Sequence, residues 1–166
     1  MLFRSAQLQM KQDLGFSDAM YGLGAAVFYV GYVLCEVPSN MLLARFGARR
    51  TFTRIMVLWG LASVGMMLVS QPSHFYWLRF LLGVAEGGFT PSMIFYLTLW
   101  FPQNQRGRFI AIFCSAIPIA GIISGPLSGL LLGLDGMGGL HGWQWLFLIE
   151  GLPACLLAFA VLKFLA

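Results

Sequence analysis

The fold class predicted by the sequence is an all-α membrane protein, a bundle of about five transmembrane helices. Three observations carry that prediction. The chain of 166 residues is 59% hydrophobic and only 10% charged, with a mean hydropathy of +0.81, whereas soluble domains carry roughly 25% charged residues. Its apolar runs reach the ~20 residues needed to cross a bilayer. Its basic residues gather in alternate connections, as they do when successive helices cross and return. Backbone amides in lipid must find partners within their own segment, so each run is expected to be helical.

Residues 1–19 come first, and "MLFRSAQLQM" is neither a signal peptide nor long enough to cross. The spans then run from about Met20 to Ala44, Thr53 to Val69, Phe75 to Trp100, Arg108 to Leu132 and Trp143 to Leu165. Arg45, Arg49, Arg50 and Arg54 follow the first span, and Arg106 and Arg108 follow the third. The connections "SQPSH" and "GLDGMGGLHG" hold no Lys or Arg. By the positive-inside rule the arginine loops are cytoplasmic and the others external, with Lys163 falling inside at the exit of the last span. The predicted location is the cell (inner) membrane, multi-pass. This alternation puts the front of the chain outside with nothing upstream to deliver it. The reading therefore expects one span missing before Met1, and a chain end at Ala166 compatible with further missing sequence. Trp77, Trp100, Trp143 and Trp145 sit at span ends as interfacial anchors, while Trp59, inside its span, is expected to pack.

Several function classes are excluded. Cys35, Cys114 and Cys155 lie singly in apolar runs, without ligand spacing. His74 and His141 sit in external loops without a ligand or triad pattern, so no enzyme, metal or cofactor is expected. The net charge of +4 resides in short loops and is no nucleic-acid signal.

The third span, "LRFLLGVAEGGFTPSMIFYLTLWFP", carries Arg79 and Glu86, seven residues apart. On a helix that is about two turns, ~10 Å along nearly one face. Charge at mid-membrane costs at least a few kcal/mol by insertion scales, so it faces a partner or a cavity. Both readings stand: packing pairs with neighbouring helices, or two charges lining one central cavity. Glu36, before Pro38, and Glu150, before "GLP", read as caps or partners of loop arginines at bends. Tyr29 and Tyr32, one turn apart, either pack or face the cavity. Gly121, Gly125, Gly129 and Gly133, each four apart, form a small-residue ladder that lets helices approach closely. Pro118 and Pro126 are candidate bends in that span.

The loop "NMLLARFGARR", Asn40 to Arg50, is a tight turn in which Gly47 permits a left-handed backbone and Arg45, Arg49 and Arg50 offer donors to helix ends, carboxylates or lipid phosphates. It resembles the signature Gly-x-Leu-Ala-Asp-Arg-x-Gly-Arg-Arg-Arg of the major facilitator superfamily, through Leu42, Arg45, Gly47, Arg49 and Arg50. Asn40 stands where glycine is usual and Ala44 where the acid is usual. With "EVPSN", "GARR", "FYWLRFLLGVAEGGFTPSMIFYLTLWFP", "RGRFIAIFCSAIPIAGIISGPLSG" and "GWQWLFLIEGLPA" in order, nearly the whole chain is similar to the anion:cation symporter family.

The resemblance implies a major facilitator superfamily-like helical bundle. Residues 1–19 would be the tail of a missing first helix and its external loop, and residues 20–166 the second to sixth helices of the amino-terminal half. It implies a secondary active transporter of small organic anions such as tartrate or sugar acids, here an incomplete half, working by proton symport and alternating access. Its partners would be the anion, the proton, the lipid bilayer, the missing first helix and the carboxyl-terminal half. Glu86 would bind the coupling proton, Arg79 would be its charge partner or anion attractor, and Tyr32 a substrate contact. "GIISGPLSG", with Gly121, Gly125, Pro126 and Gly129, resembles part of an antiporter signature, but Leu130 replaces its closing glycine and packing is the favoured role. Two alternatives are kept: an efflux antiporter for hydrophobic compounds, disfavoured by an arginine along the cavity, and a non-transporting remnant or assembly partner.

Overall fold

The structure, a computed structural model, describes residues 2–164, and among these seven α-helices and no strand occur. They are α1 (Leu2–Leu14), α2 (Asp18–Phe46), α3 (Ala48–Met66), α4 (Pro72–Glu86), α5 (Phe89–Trp100), α6 (Gln103–Leu132) and α7 (Gly142–Phe164). Ser17 starts α2 by accepting the Met20 amide on its hydroxyl at 3.3 Å, satisfying one of the orphan donors of the first turn. Gly47, at φ +80°, ends α2, and α3 begins at the next residue. A side chain is strained at that φ, so the expected turn narrows to one glycine, and most of Asn40–Arg50 is helical.

Four stretches are long and apolar enough to cross a bilayer: Asp18–Phe46, Pro72–Trp100, Gln103–Leu132 and Gly142–Lys163. They correspond to four of the five expected spans. The remaining one, α3, has 19 residues and opens with Arg49, Arg50 and Arg54, which lowers its apolarity. Phe52, Ile55, Ala62 and Met66 form a buried stripe along it at helical spacing. The expected third span is broken: α4 ends at Glu86, and Gly88, at φ +93°, begins α5. Leu165, the expected end of the last span, lies outside the described residues.

Helix α2 packs on α4, and α3 on both α4 and α7. Glycines allow backbone to meet backbone there. A Cβ at Gly31 would stand 2.6 Å from the Phe80 carbonyl oxygen, and one at Gly87 2.5 Å from that of Tyr32. Gly83 faces the Phe28 carbonyl in the same way. Between α3 and α7, a Cβ at Gly60 would lie 2.6 Å from Cys155 Sγ, and one at Gly151 2.7 Å from Val64 Cγ2. Gly125 and Gly129 of the predicted ladder do not make such a contact among the described residues. Gly125, Pro126 and Gly129 are exposed, and nothing lies within 4 Å of a Cβ built at Gly125 or Gly129. Gly121 is half-buried. The reason is the peripheral position of α6, whose buried residues are Ser128 and Leu131.

The main hydrophobic cluster joins Met10, Phe16, Tyr21, Met66, Phe75, Leu131, Trp143 and Leu146. These residues come from the end of α1, the α1–α2 connection, the starts of α2, α4 and α7, and the ends of α3 and α6, so this cluster sits at one end of the bundle. Trp77 and Trp100 are exposed, as anchors would be, and Trp59 packs against the core. Trp143 is only 2% exposed and donates Nε1–H to Asp13 at 3.0 Å, so it is a core residue instead.

Substituting Gly83→Ala, which drives a methyl into the α2 backbone, should destabilise the chain by about 1–3 kcal/mol, the usual cost of overpacking. Gly125→Ala, in open space, should change stability by less than ~1 kcal/mol and in the stabilising direction, through helix propensity. Equilibrium unfolding in mixed detergent micelles measures both. Equal effects would show that the α2–α4 approach is not what holds these helices.

Candidate functional site

Arg79 lies on α4 and is 9% exposed. Its guanidinium carbon is 5.7 Å from the ring centroid of Phe75, one turn earlier, and 5.8 Å from that of Phe28 on α2. Aromatic faces stabilise a cation removed from water. Tyr32 lies 6.2 Å from Phe28, centroid to centroid, so one ring separates the predicted substrate tyrosine from the arginine. Tyr29 is largely exposed.

Glu86 closes α4 at its break. Its exposed side chain lines a pocket of about 250 Å³ with Ile55, Met56 and Trp59 of α3, Phe89 of α5, and Ala154 and Leu157 of α7. Arg79 is not among these lining residues. The seven-residue spacing does place both charges within electrostatic reach of each other. Their surroundings differ: aromatic rings enclose the cation, while the acid opens onto an apolar pocket. Glu150 of α7, half-buried, also interacts electrostatically with Glu86. Its neighbour Gly151 sets its position through the close approach to α3. Glu150, expected as a cap or arginine partner at a bend, stands three residues before Pro153, which lies inside α7.

A polar network supports the break. Ser39 is 2% exposed, and its Oγ donates to the Gly87 carbonyl at 2.9 Å. Arg54 Nη2 donates to Ser39 Oγ at 3.2 Å. Ser92 on α5, fully buried, donates to Asn40 Oδ1 at 3.1 Å, and Asn40 Nδ2 donates to the Glu36 carbonyl at 3.2 Å. The break frees helix-end groups that need partners away from water, and these side chains supply them. Asn40 thus ties α2 to α5, which a glycine there cannot do. Arg45, Arg49 and Arg50 are exposed, and Arg45 lies 5.5 Å from the Phe46 ring. Sequence reasoning missed Phe28, Ser39, Arg54 and Ser92 as parts of this arrangement. The available signals were the Gly87–Gly88 pair and the serines next to Pro38 and Pro91.

The family model described as Major Facilitator Superfamily matches residues 1–166. A protein named "Quinolone resistance transporter" from Acinetobacter baumannii is 56% identical over 153 residues, which cover 92% of this chain and 35% of that protein. A "Putative tartrate transporter" from Agrobacterium vitis is 50% identical over 160 residues, covering 96% of this chain and 36% of that one. The chain therefore spans about a third of the length of these relatives. Among solved structures, a bacterial homolog of the human lysosomal transporter Spinster, inward-facing and occupied, aligns with a TM-score of 0.89 at 22% identity. That alignment covers 99% of this chain and 40% of the other, and it describes the fold alone.

Ser39→Ala removes the hydroxyl shared by Gly87 and Arg54, and should cost about 1–3 kcal/mol as buried groups lose their partner. Ser92→Ala, which removes one hydrogen bond, should cost about 1 kcal/mol. Unfolding in micelles reads both, and a Ser39→Ala variant as stable as the parent would contradict the network.

Proposed function

We propose, from the premise that the chain belongs to the Major Facilitator Superfamily, that it supplies helices of a secondary active transporter of small organic anions. The cargo is of dicarboxylate or sugar-acid type, and transport is coupled to protons by alternating access in a cell (inner) membrane. The observation that carries this reading is Glu86 at the α4–α5 break, opening on a pocket between α3, α5 and α7, with Arg79 two turns away on the same helix. Broken helices in transporters place binding groups near the midplane. Proton uptake by Glu86 removes the negative charge that competes with an anion for Arg79, because opposite charges attract strongly where water is scarce. A ligand shifts the equilibrium between outward-open and inward-open states only through different affinities for the two. A carboxylate whose access to water changes with those states meets that requirement. Tyr32 is the neighbouring substrate contact. The first helix and the carboxyl-terminal half supply the remaining cavity walls. The name of the tartrate-transporter relative supports the anionic cargo.

Efflux of hydrophobic compounds is the second reading. The name of the quinolone-resistance relative and the apolar lining beside Glu86 favour it. The buried arginine favours the anion.

The full-length transporter carrying this segment, reconstituted in liposomes, separates the two. Under an inward proton gradient, tartrate should accumulate, and Glu86→Gln should reduce accumulation to the level of empty liposomes while tartrate counterflow persists. Unchanged proton-driven uptake in Glu86→Gln removes Glu86 from coupling. Export of a lipophilic dye without any tartrate movement favours efflux.

A further inference from the structure

A second site of opposite character lies at the other side of the arginine-rich turn. Between Glu36 and Glu86 the sequence holds Arg45, Arg49, Arg50, Arg54 and Arg79 and no acidic residue. Arg50, Thr51 and Arg54, with Leu42 and Phe46 of α2, line a pocket of about 230 Å³. Thr51 is 3% exposed, and its hydroxyl has no hydrogen-bond partner. Arg54 Nε is likewise buried without one, although its Nη2 is held by Ser39. These groups stand in the first two turns of α3, a 19-residue helix preceded by Gly47, which offers no side-chain cap. The positive end of the helix dipole therefore adds to the two guanidinium groups.

Buried donors left unmatched are costly, and every donor here suits one kind of ligand. We propose that this pocket binds a phosphate group, in the first instance that of a phospholipid headgroup. Arginine forks match phosphate oxygens in geometry and charge, and a threonine hydroxyl completes the set. The lipid source is favoured by the surroundings. Leu42 and Phe46 also line an adjoining groove with Pro38, Met41, Ala44 and Arg45, whose mostly apolar wall offers a path for the glycerol and acyl portions. Basic pockets at membrane-facing helix ends bind lipid headgroups by this chemistry.

Native mass spectrometry of the purified chain in a neutral detergent, with phosphatidylglycerol or diacylglycerol added, tests the site. One phosphatidylglycerol should be retained per chain, and diacylglycerol, which lacks the phosphate, should not. Thr51→Val removes the hydroxyl at constant charge and nearly constant volume. It and Arg54→Gln should each weaken retention roughly tenfold, the loss of one hydrogen bond to a charged group. Arg108→Gln changes the net charge equally but lies outside the pocket, and should leave retention unaltered. If millimolar inorganic phosphate displaces the lipid, the pocket takes free phosphate as well; if it does not, the headgroup source stands alone. Equal retention of diacylglycerol, or an Arg108→Gln loss as large as that of Arg54→Gln, overturns the proposal. Because Arg54 also holds Ser39, unfolding midpoints without lipid accompany each variant. Thr51→Val, which gives up no hydrogen bond seen in the structure, carries the test if Arg54→Gln unfolds.

Discussion

The approach of α2 to α4, backbone against backbone, is the constraint on which the remaining geometry depends. Gly31, Gly83 and Gly87 leave no room for a methyl between Phe80, Phe28 and Tyr32. In lipid, apolar surface alone does not drive helices together, so dispersion contacts at this range and interhelical hydrogen bonds must do it. Once α2 and α4 are that close, Phe28 reaches the Arg79 guanidinium, and Ser39 reaches the carbonyl of Gly87. The opposite side of α4 is left to α3, and Glu86 turns toward the pocket that α3 and α7 share. One helix thus separates an enclosed cation from an open acid.

The break after Glu86 follows from the same approach. Continuing α4 straight through Gly87 and Gly88 would keep every carbonyl within its ladder. Ending it leaves carbonyls to be satisfied elsewhere. Ser39, held in turn by Arg54, accepts that task from α2, while Asn40 and Ser92 bind α2 to the new helix beyond the break. Three helices are therefore connected through hydroxyl and amide groups at one level of the bundle. Polar networks in a medium of low dielectric are strong when complete and costly when partial. The bonds that converge on Ser39, from Arg54 Nη2 and to the Gly87 carbonyl, give a broken helix a defined geometry instead of a frayed end.

Helical class and four of the spans were legible in the sequence because both follow from apolar length and charge, which composition records directly. The loop turn at Gly47 was legible for a similar reason: few residues tolerate its φ. The position of α3 was less so. Its arginines belong to a helix rather than a loop, and its buried stripe is visible only once its neighbours are known. Glycines illustrate the limit well. The regular ladder on α6 suggests a packing role, yet nothing among the described residues approaches Gly125 or Gly129, while the irregularly spaced Gly31, Gly60, Gly83 and Gly151 carry the close contacts. Spacing shows that a helix face is small; it does not say what meets it. The same holds for Arg79 and Glu86, whose common face was readable from a separation of seven, whereas their different surroundings depend on Phe28, Trp59 and Leu157 from other helices.

That difference in surroundings bears on the proposed reading, in which the segment meets an anionic cargo. An enclosed arginine keeps its place, because the aromatic rings of Phe28 and Phe75 compensate part of its lost hydration. Glu86, at the helix break, has no such enclosure and lies within electrostatic reach of Glu150 on α7. On the proposed reading the variable element is therefore the acid. With Glu86 ionised, its charge opposes that of Arg79 and the pocket offers little to an anion. With Glu86 neutral, the field of Arg79 is unopposed and the apolar lining of Ile55, Trp59 and Leu157 meets an uncharged neighbour. On that reading both changes favour an anionic ligand over a small cation.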